Sequence, residues 1–294
     1  MPPTQANHEE KMDPLGRRIV GSKNEFLDRS IFFISHCSYY PSQPPLKPEM
    51  RLKMLKDRVI VVTGSSSGIG KSCTEKIISN SGIAVGFDIR ESPTVHENYR
   101  HYIVDIRDET GIICALDDIE LRFSRIDALV NCAGESPNSK PFYEMTSDEW
   151  NRVISTDLTG TFLMSKYASQ KMIKHQKGKI INISSIRSRI FKPNRADYSA
   201  SKAGIVALTS AMAIDLSGYN IQVNSVAPGL TFTGMTEKAF SSDDIRKQTE
   251  KLIPAGRIAE PEDIANVVLF LLSDLSAYIN GETIFVDGGN FVFK

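Results

Sequence analysis

The sequence predicts an α/β domain in which a parallel sheet of seven strands is wound with helices on both faces. Three observations carry this expectation. From Arg58 onward, short apolar runs alternate with amphipathic helical patterns. The runs are apolar enough to be buried on both faces, as strands covered by helices must be. The 294 residues are 41% hydrophobic and 24% charged, enough to bury a sizeable core, and no repeat or low-complexity tract interrupts them.

The predicted strands are Arg58 to Thr63, Ile83 to Asp88, Tyr102 to Asp105, Asp127 to Asn131, Lys179 to Ser184, Ile221 to Val226 and Thr283 to Asp287. Helical patterns span Gly68 to Asn80 and Glu109 to Ser124. A long one runs from Ser147 to His175, opened by Thr146 with Glu149 three residues on, the spacing of a capping box. Two more span Asp197 to Ser217 and Pro261 to Ser273, the last with proline in its first turn. Residues 1–54 differ. They are polar, broken by "YPSQPPLKP", and show only one short apolar patch, "SIFFIS". Prolines at this density favour extended conformations, so the expectation is a poorly ordered extension joined to one domain over 55–294.

Composition excludes several classes. Lys+Arg and Asp+Glu are both 35, so no global field recruits nucleic acid or an anionic membrane. Cys37, Cys73, Cys114 and Cys132 lie far apart, which implies neither a disulfide framework nor a zinc site. No apolar run approaches the ~18 residues of a membrane span, and the first thirty residues lack a signal peptide's apolar region. A cytoplasmic enzyme without a metal is expected.

"TGSSSGIG", Thr63 to Gly70, joins the first strand to the first helix. Gly64 permits a tight turn, and Gly68 and Gly70 allow close approach of ligand and of helix to sheet. The amide groups at the helix start favour a pyrophosphate. By itself this is an ordinary glycine–serine turn. Asp88, at the end of the second strand, adds weight: a carboxylate there accepts from the two hydroxyls of an adenosine ribose and repels a 2′-phosphate.

Another pattern is "YSASK", which places Tyr198 and Lys202 at i and i+4 on one helix face. An ammonium there favours the phenolate and so suits proton transfer. "NISS", Asn182 to Ser185, closes a strand thirteen residues earlier, where ligands bind in parallel sheets.

With T-G-x-x-x-G-x-G, "NCAG", "NISS", Y-x-x-x-K and "PGLTFT" in this order, the stretch Leu55 to Gly289 resembles the short-chain dehydrogenase/reductase family. The resemblance implies a Rossmann-type doubly wound sheet in the order 3-2-1-4-5-6-7. It implies an NAD(H)-dependent oxidoreductase that interconverts a secondary alcohol and a ketone. It assigns Gly64, Ser66, Ser67, Gly68, Ile69 and Gly70 to the pyrophosphate, and Asp88 to the ribose. Asp105 and Ile106 fall to the adenine; Asn131, Ala133 and Gly134 lie beside the cofactor. Pro228, Gly229, Thr231 and Thr233 fall to the nicotinamide carboxamide. NADP users often carry a basic residue at the places held here by Ser67 and Ile89, so NAD is expected, with Arg90 the nearby cation.

In the same family Tyr198 is the general acid or base, Ser185 rather than Ser184 holds the substrate oxygen, and Lys202 tunes Tyr198 and binds the nicotinamide ribose. One departure stands out: Asp157 occupies the place of the family's usual Asn, which anchors a water in a proton relay to the lysine. Asp157 is expected either to replace that Asn and move the pH optimum upward, or to contribute little. The family habit implies a homodimer or homotetramer, through the long helices from Ser147 and Asp197, with the C-terminal "NFVFK" compatible with a subunit contact.

For the substrate, Arg187, Arg189, Lys192 and Arg195 between Ser185 and Tyr198 are either a solvated run or include a partner for an anionic group. Residues about 230–258 form the family's substrate lid, where Phe240 and Leu252 offer apolar cover. Dihydrodiol dehydrogenases, 3-oxoacyl-carrier-protein reductases and sugar dehydrogenases look equally similar. A low-turnover NAD-binding regulatory protein is the reading from another class.

Overall fold

The computed structural model describes residues 54–237 and 242–291. Expectations for residues 1–53, for Phe240 and for Phe293 of the C-terminal motif lie outside them.

Among the described residues seven strands form one sheet, all pairs parallel, in the order β3-β2-β1-β4-β5-β6-β7. They are β1 (Val59–Thr63), β2 (Ile83–Asp88), β3 (Tyr99–Ile103), β4 (Ala128–Asn131), β5 (Gly178–Ile183), β6 (Ile221–Pro228) and β7 (Thr283–Val286). Alternation along β1 shows why both faces need helices. Val59 and Val61 enter one core with Leu116, Met164 and Met172; Ile60 and Val62 enter another with Ile77, Val268 and Leu271. The first core lies under α2 (Glu109–Phe123), α4 (Thr161–Lys174) and α5 (Ala196–Leu216). The second lies under α1 (Gly68–Ser79) and α7 (Pro261–Leu272). Asp243–Glu250 forms α6. Among the described residues no helix is long and apolar enough to cross a membrane.

The structure corrects two element boundaries. The third strand spans Tyr99–Ile103, three residues earlier at its start than Tyr102. It is an edge strand whose Arg100 and His101 are not fully buried, so its paired residues carry no apolar run. The long helix expected over Ser147 to His175 is interrupted. After α3 (Ser147–Ile154), whose Thr146–Glu149 capping box is present, a π-helical turn occupies Ser155–Gly160 before α4 begins. Such turns concentrate at functional sites, and this one carries Asp157.

Candidate active site

The chain order reverses between β1 and β4, which is where ligands bind in open parallel sheets. At that point the glycine loop and the "NCAG" loop meet. The backbone amides of Cys132 and Ala133 both donate to Thr63 Oγ1, each at 3.0 Å. The contact leaves no room for side chains: a Cβ on Gly64 (φ +66°) would lie 2.9 Å from Ala133 Cα, and one on Gly70 would lie 2.2 Å from Gly64 O. Gly68 (φ +52°) is different, since a Cβ there would meet only the Thr233 side chain, the nearest atom at 3.4 Å. Thr233 therefore faces the glycine loop, although 165 positions separate the two in the chain. Ser67 precedes α1 without capping it through its side chain, and Ile69 lies inside the first turn. The first-turn amides are thus left for an anion. This cradle fits the pyrophosphate of a dinucleotide.

Asp88 is 6% exposed. It accepts from the amides of Ser66 and Arg90, both at 3.1 Å, so its carboxylate is tied across the loop mouth. The exposed Arg90 side chain reaches back over it, with Nε 3.5 Å from Asp88 Oδ1 and Nη2 donating to Ser67 Oγ at 2.9 Å. Asp105 is held by Arg107 through three contacts of 2.6–3.0 Å, and that guanidinium holds its carboxyl below the usual carboxylate range. The Ile106 side chain is buried in the core, close to Gly160, so only its backbone is left to face a ligand.

Asn131 is directed elsewhere as well. Its amide nitrogen donates to Ser165 Oγ at 3.0 Å and Asn182 Oδ1 at 2.8 Å, tying β4 to α4 and β5. The two adjacent serines after β5 are separated by their bonds. Ser184 Oγ donates to Lys202 O, which ties it to α5. Ser185 Oγ accepts from the Arg187 amide at 3.1 Å and keeps its own proton to give.

On α5, Lys202 Nζ lies 5.4 Å from the centre of the Tyr198 ring. It is 3.2 Å from Asp157 Oδ2 and donates to Ile183 O at 3.3 Å. Asp157 is fully buried; the Glu135 amide donates to its Oδ1 at 2.7 Å and Ser201 Oγ to its Oδ2 at 3.3 Å. Burial works against the Lys202 charge, but Asp157 and then Tyr198 outweigh it, and the ammonium's pKa stands above its ordinary value. Gly134 makes the arrangement possible, because a Cβ there would come within 3.3 Å of Asp157 Oδ1 and 3.5 Å of Lys202 Nζ.

Beyond β6, which ends at Pro228, Gly229 packs against Asp287, and a Cβ on it would lie 2.7 Å from Asp287 Cα. Thr231 pairs with Ala259, and its carbonyl accepts from Thr236 Oγ1 at 2.7 Å. The same hydroxyl accepts from the Thr233 amide at 2.9 Å. Leu252 is 69% exposed. Two side chains were not singled out from sequence. Asp197, fully buried, accepts from Asn138 Nδ2 at 2.8 Å, from the Asn138 amide at 3.1 Å and from the Tyr198 amide at 2.7 Å. It thereby fixes the loop after β4 against the start of α5. Arg152 holds Glu135 from the other side. The sequence signal for Asp197 was adjacency to Tyr198, and for Glu135, which Arg152 holds, adjacency to Gly134.

Residues 64–290 match a family profile described as enoyl-(acyl carrier protein) reductase. The chain belongs to the short-chain dehydrogenase/reductase family. The chain is 38% identical to a 3-oxoacyl-[acyl-carrier-protein] reductase of Aquifex aeolicus, over 81% of its own length and 98% of the relative's. It is 34% identical to the corresponding reductase of Thermotoga maritima, over 80% and 98%. Among solved structures it superimposes on the aldohexose dehydrogenase of Thermoplasma acidophilum with a TM-score of 0.78 and 29% identity, covering 82% of this chain and 96% of that one. Levodione reductase gives 0.75 and 28%, covering 82% and 100%. This short-chain dehydrogenase/reductase is an oxidoreductase acting on CH–OH donors and the corresponding carbonyls, with a nicotinamide cofactor and a small-molecule substrate.

Proposed function

We propose that the chain uses NAD(H) to interconvert a secondary alcohol and a ketone, with Tyr198 as general acid in reduction and general base in oxidation. The observation that carries this is the Lys202 ammonium, held between Asp157 and the Ile183 carbonyl beside the Tyr198 ring. A nicotinamide held there would supply or accept the hydride at C4. Ser185 donates to the substrate oxygen and fixes it at the end of β5. Tyr198 exchanges the proton with that oxygen beside the fixed positive charge of Lys202. Asp157 stands where a relay water would otherwise be anchored by an amide, accepting from Lys202 and unable to donate when ionised.

NAD rather than NADP is supported by Asp88, buried and anchored by two amides where a 2′-phosphate would have to sit. Gly64, Ser66, Ser67, Gly68, Ile69 and Gly70 hold the pyrophosphate. Pro228, Gly229, Thr231 and Thr233 position the carboxamide end. The enzyme acts in the cytoplasm as a homodimer or homotetramer through α4 and α5, on which Phe162 and Ile214 are 45% and 76% exposed. A panel of secondary alcohols and 3-oxoacyl thioesters, followed at the NADH absorbance with NAD(H) and NADP(H), tests the reading. Faster turnover with the phosphorylated cofactor overturns the NAD assignment. Turnover that survives Tyr198→Phe overturns the proton-transfer assignment.

A further inference from the structure

Four cations lie between Ser185 and the start of α5, and the structure separates them. Arg189 stacks over Phe285 and Phe291, at 5.2 and 5.8 Å. Lys192 is exposed. Arg187 is partly buried on the short 3-10 turn Ile186–Ser188, which packs on α5, and its backbone amide donates to Ser185 Oγ. Its guanidinium donates to a single carbonyl, Ile190 O at 3.1 Å. Among the described residues no carboxylate pairs with it. Arg195, the N-cap residue of α5, is bonded to Ser139 Oγ and Asn194 O, again with no carboxylate partner among the described residues.

Burial, and after it the Arg195 charge, work against the Arg187 charge; Tyr198 is the group that favours it. Neither guanidinium meets a carboxylate among the described residues, and most of their N–H donors are left unused. A partly desolvated cation pair without an anion is costly, and planar guanidinium forks match a carboxylate through two parallel hydrogen bonds. We infer that Arg187, seconded by Arg195, receives a carboxylate carried by the substrate, so that the enzyme acts on secondary hydroxy acids and their oxo acids. The inference rests on the placing of the reacting oxygen at Ser185 and Tyr198. It adds what stands next to that oxygen.

Paired substrates test it: lactate, 3-hydroxybutyrate and a cyclic hydroxy acid, each beside its methyl ester, assayed with NAD. Calorimetric titration of the oxo acids and their esters onto the enzyme–NADH complex runs in parallel. The wild type is expected to prefer acid over ester by at least tenfold in kcat/KM or in Kd. Arg187→Met is expected to bring that ratio near one, by raising KM for the acid on the order of a hundredfold while kcat moves far less. Arg187→Lys should recover part of the preference, and Arg189→Met, whose guanidinium lies over the two phenyl rings, should keep it. Esters used as well as acids, or a preference that Arg187→Met retains, overturn the inference and leave the oxidoreductase reading in place. If no pair is turned over, the titrations decide alone: oxo acids that bind no better than their esters overturn it. A preference confined to phosphate monoesters added to the panel overturns the carboxylate and keeps only an anion site. NADH formation that is insensitive to Tyr198→Phe instead overturns the reading beneath it.

Discussion

Asp157 Oδ2 lies 3.2 Å from Lys202 Nζ, with Asp157 fully buried and Lys202 5% exposed. The carboxylate therefore answers the charge that Tyr198 would otherwise feel undivided, and it raises the pKa of Lys202.

Replacing Asp157 by Asn removes that charge while keeping an acceptor for the Glu135 amide. Lys202, no longer raised, then loses its proton at lower pH, so the alkaline limb of the pH–rate profile in the oxidation direction moves down. The alkaline limb is the part of the profile expected to move to lower pH. Superimposable kcat profiles for Asp157→Asn and wild type would show that the carboxylate is a bystander.

Tyr198→Phe should lower kcat by about 10²–10⁴-fold and leave NADH affinity within a few-fold. Its hydroxyl makes no hydrogen bond to the described residues, so the fold does not depend on it. Fluorescence titration of NADH beside steady-state rates separates loss of chemistry from loss of binding.

Asp88→Ser should raise the ratio of NADP to NAD turnover, in kcat/KM, on the order of a hundredfold. The carboxylate that repels a 2′-phosphate goes, and Arg90, freed from Asp88, is within reach of the space vacated. The Ser66 and Arg90 amides lose an acceptor, so the loop loosens and NAD turnover falls as well. An unchanged ratio would mean that the ribose is read elsewhere.

Lys179, at the opposite end of the sheet from the site, gives a stability prediction. Burial first, then the neighbouring Arg58 charge, pull its pKa down to about 8. Below pH 8 the side chain is charged in both folded and unfolded chains, and the folded state bears the full cost of a buried ammonium. Between pH 8 and the unfolded value near 10.5 that cost fades, so stability from this group rises with pH. Lys179→Met should therefore stabilise the protein by about 1–3 kcal/mol at pH 7, offset in part by the bonds lost to Gln222 and Ser276. The advantage should shrink as denaturant melts are repeated up to pH 10.

Those parts of the fold that are buried on both faces were legible. β1, β4 and β5 carry apolar stretches because every residue in them is buried, although β5 also buries Lys179 and Asn182. β3 was misplaced because Arg100 and His101 lie at a sheet edge, where polar side chains are not excluded. The π turn left no mark, since "STDLTG" contains no proline and its backbone shift is set by packing. In the site, the i, i+4 spacing puts Lys202 Nζ over the Tyr198 ring, and Asp157 lies beside that nitrogen. Spacing did not show that the Ile106 side chain enters the core or that Arg107 pairs with Asp105. Nor could spacing separate Arg187 from Arg189, because that difference lies in which one finds aromatic rings.

The turn over Ser155–Gly160 has one more effect. Each α-helical residue advances about 100° around the axis, and a π turn delays that advance between α3 and α4. α3 is fixed by its box at Thr146, and α4 by Met164 and Met172 in the core, so neither end is free to rotate. The delay falls at Asp157, whose Oδ2 lies 3.2 Å from Lys202 Nζ. This stretch is therefore sensitive to length more than to composition. Removing a single residue from it would leave a smoother helix and swing the carboxylate away from the lysine, so relatives that diverge here should differ by substitution and seldom by insertion or deletion.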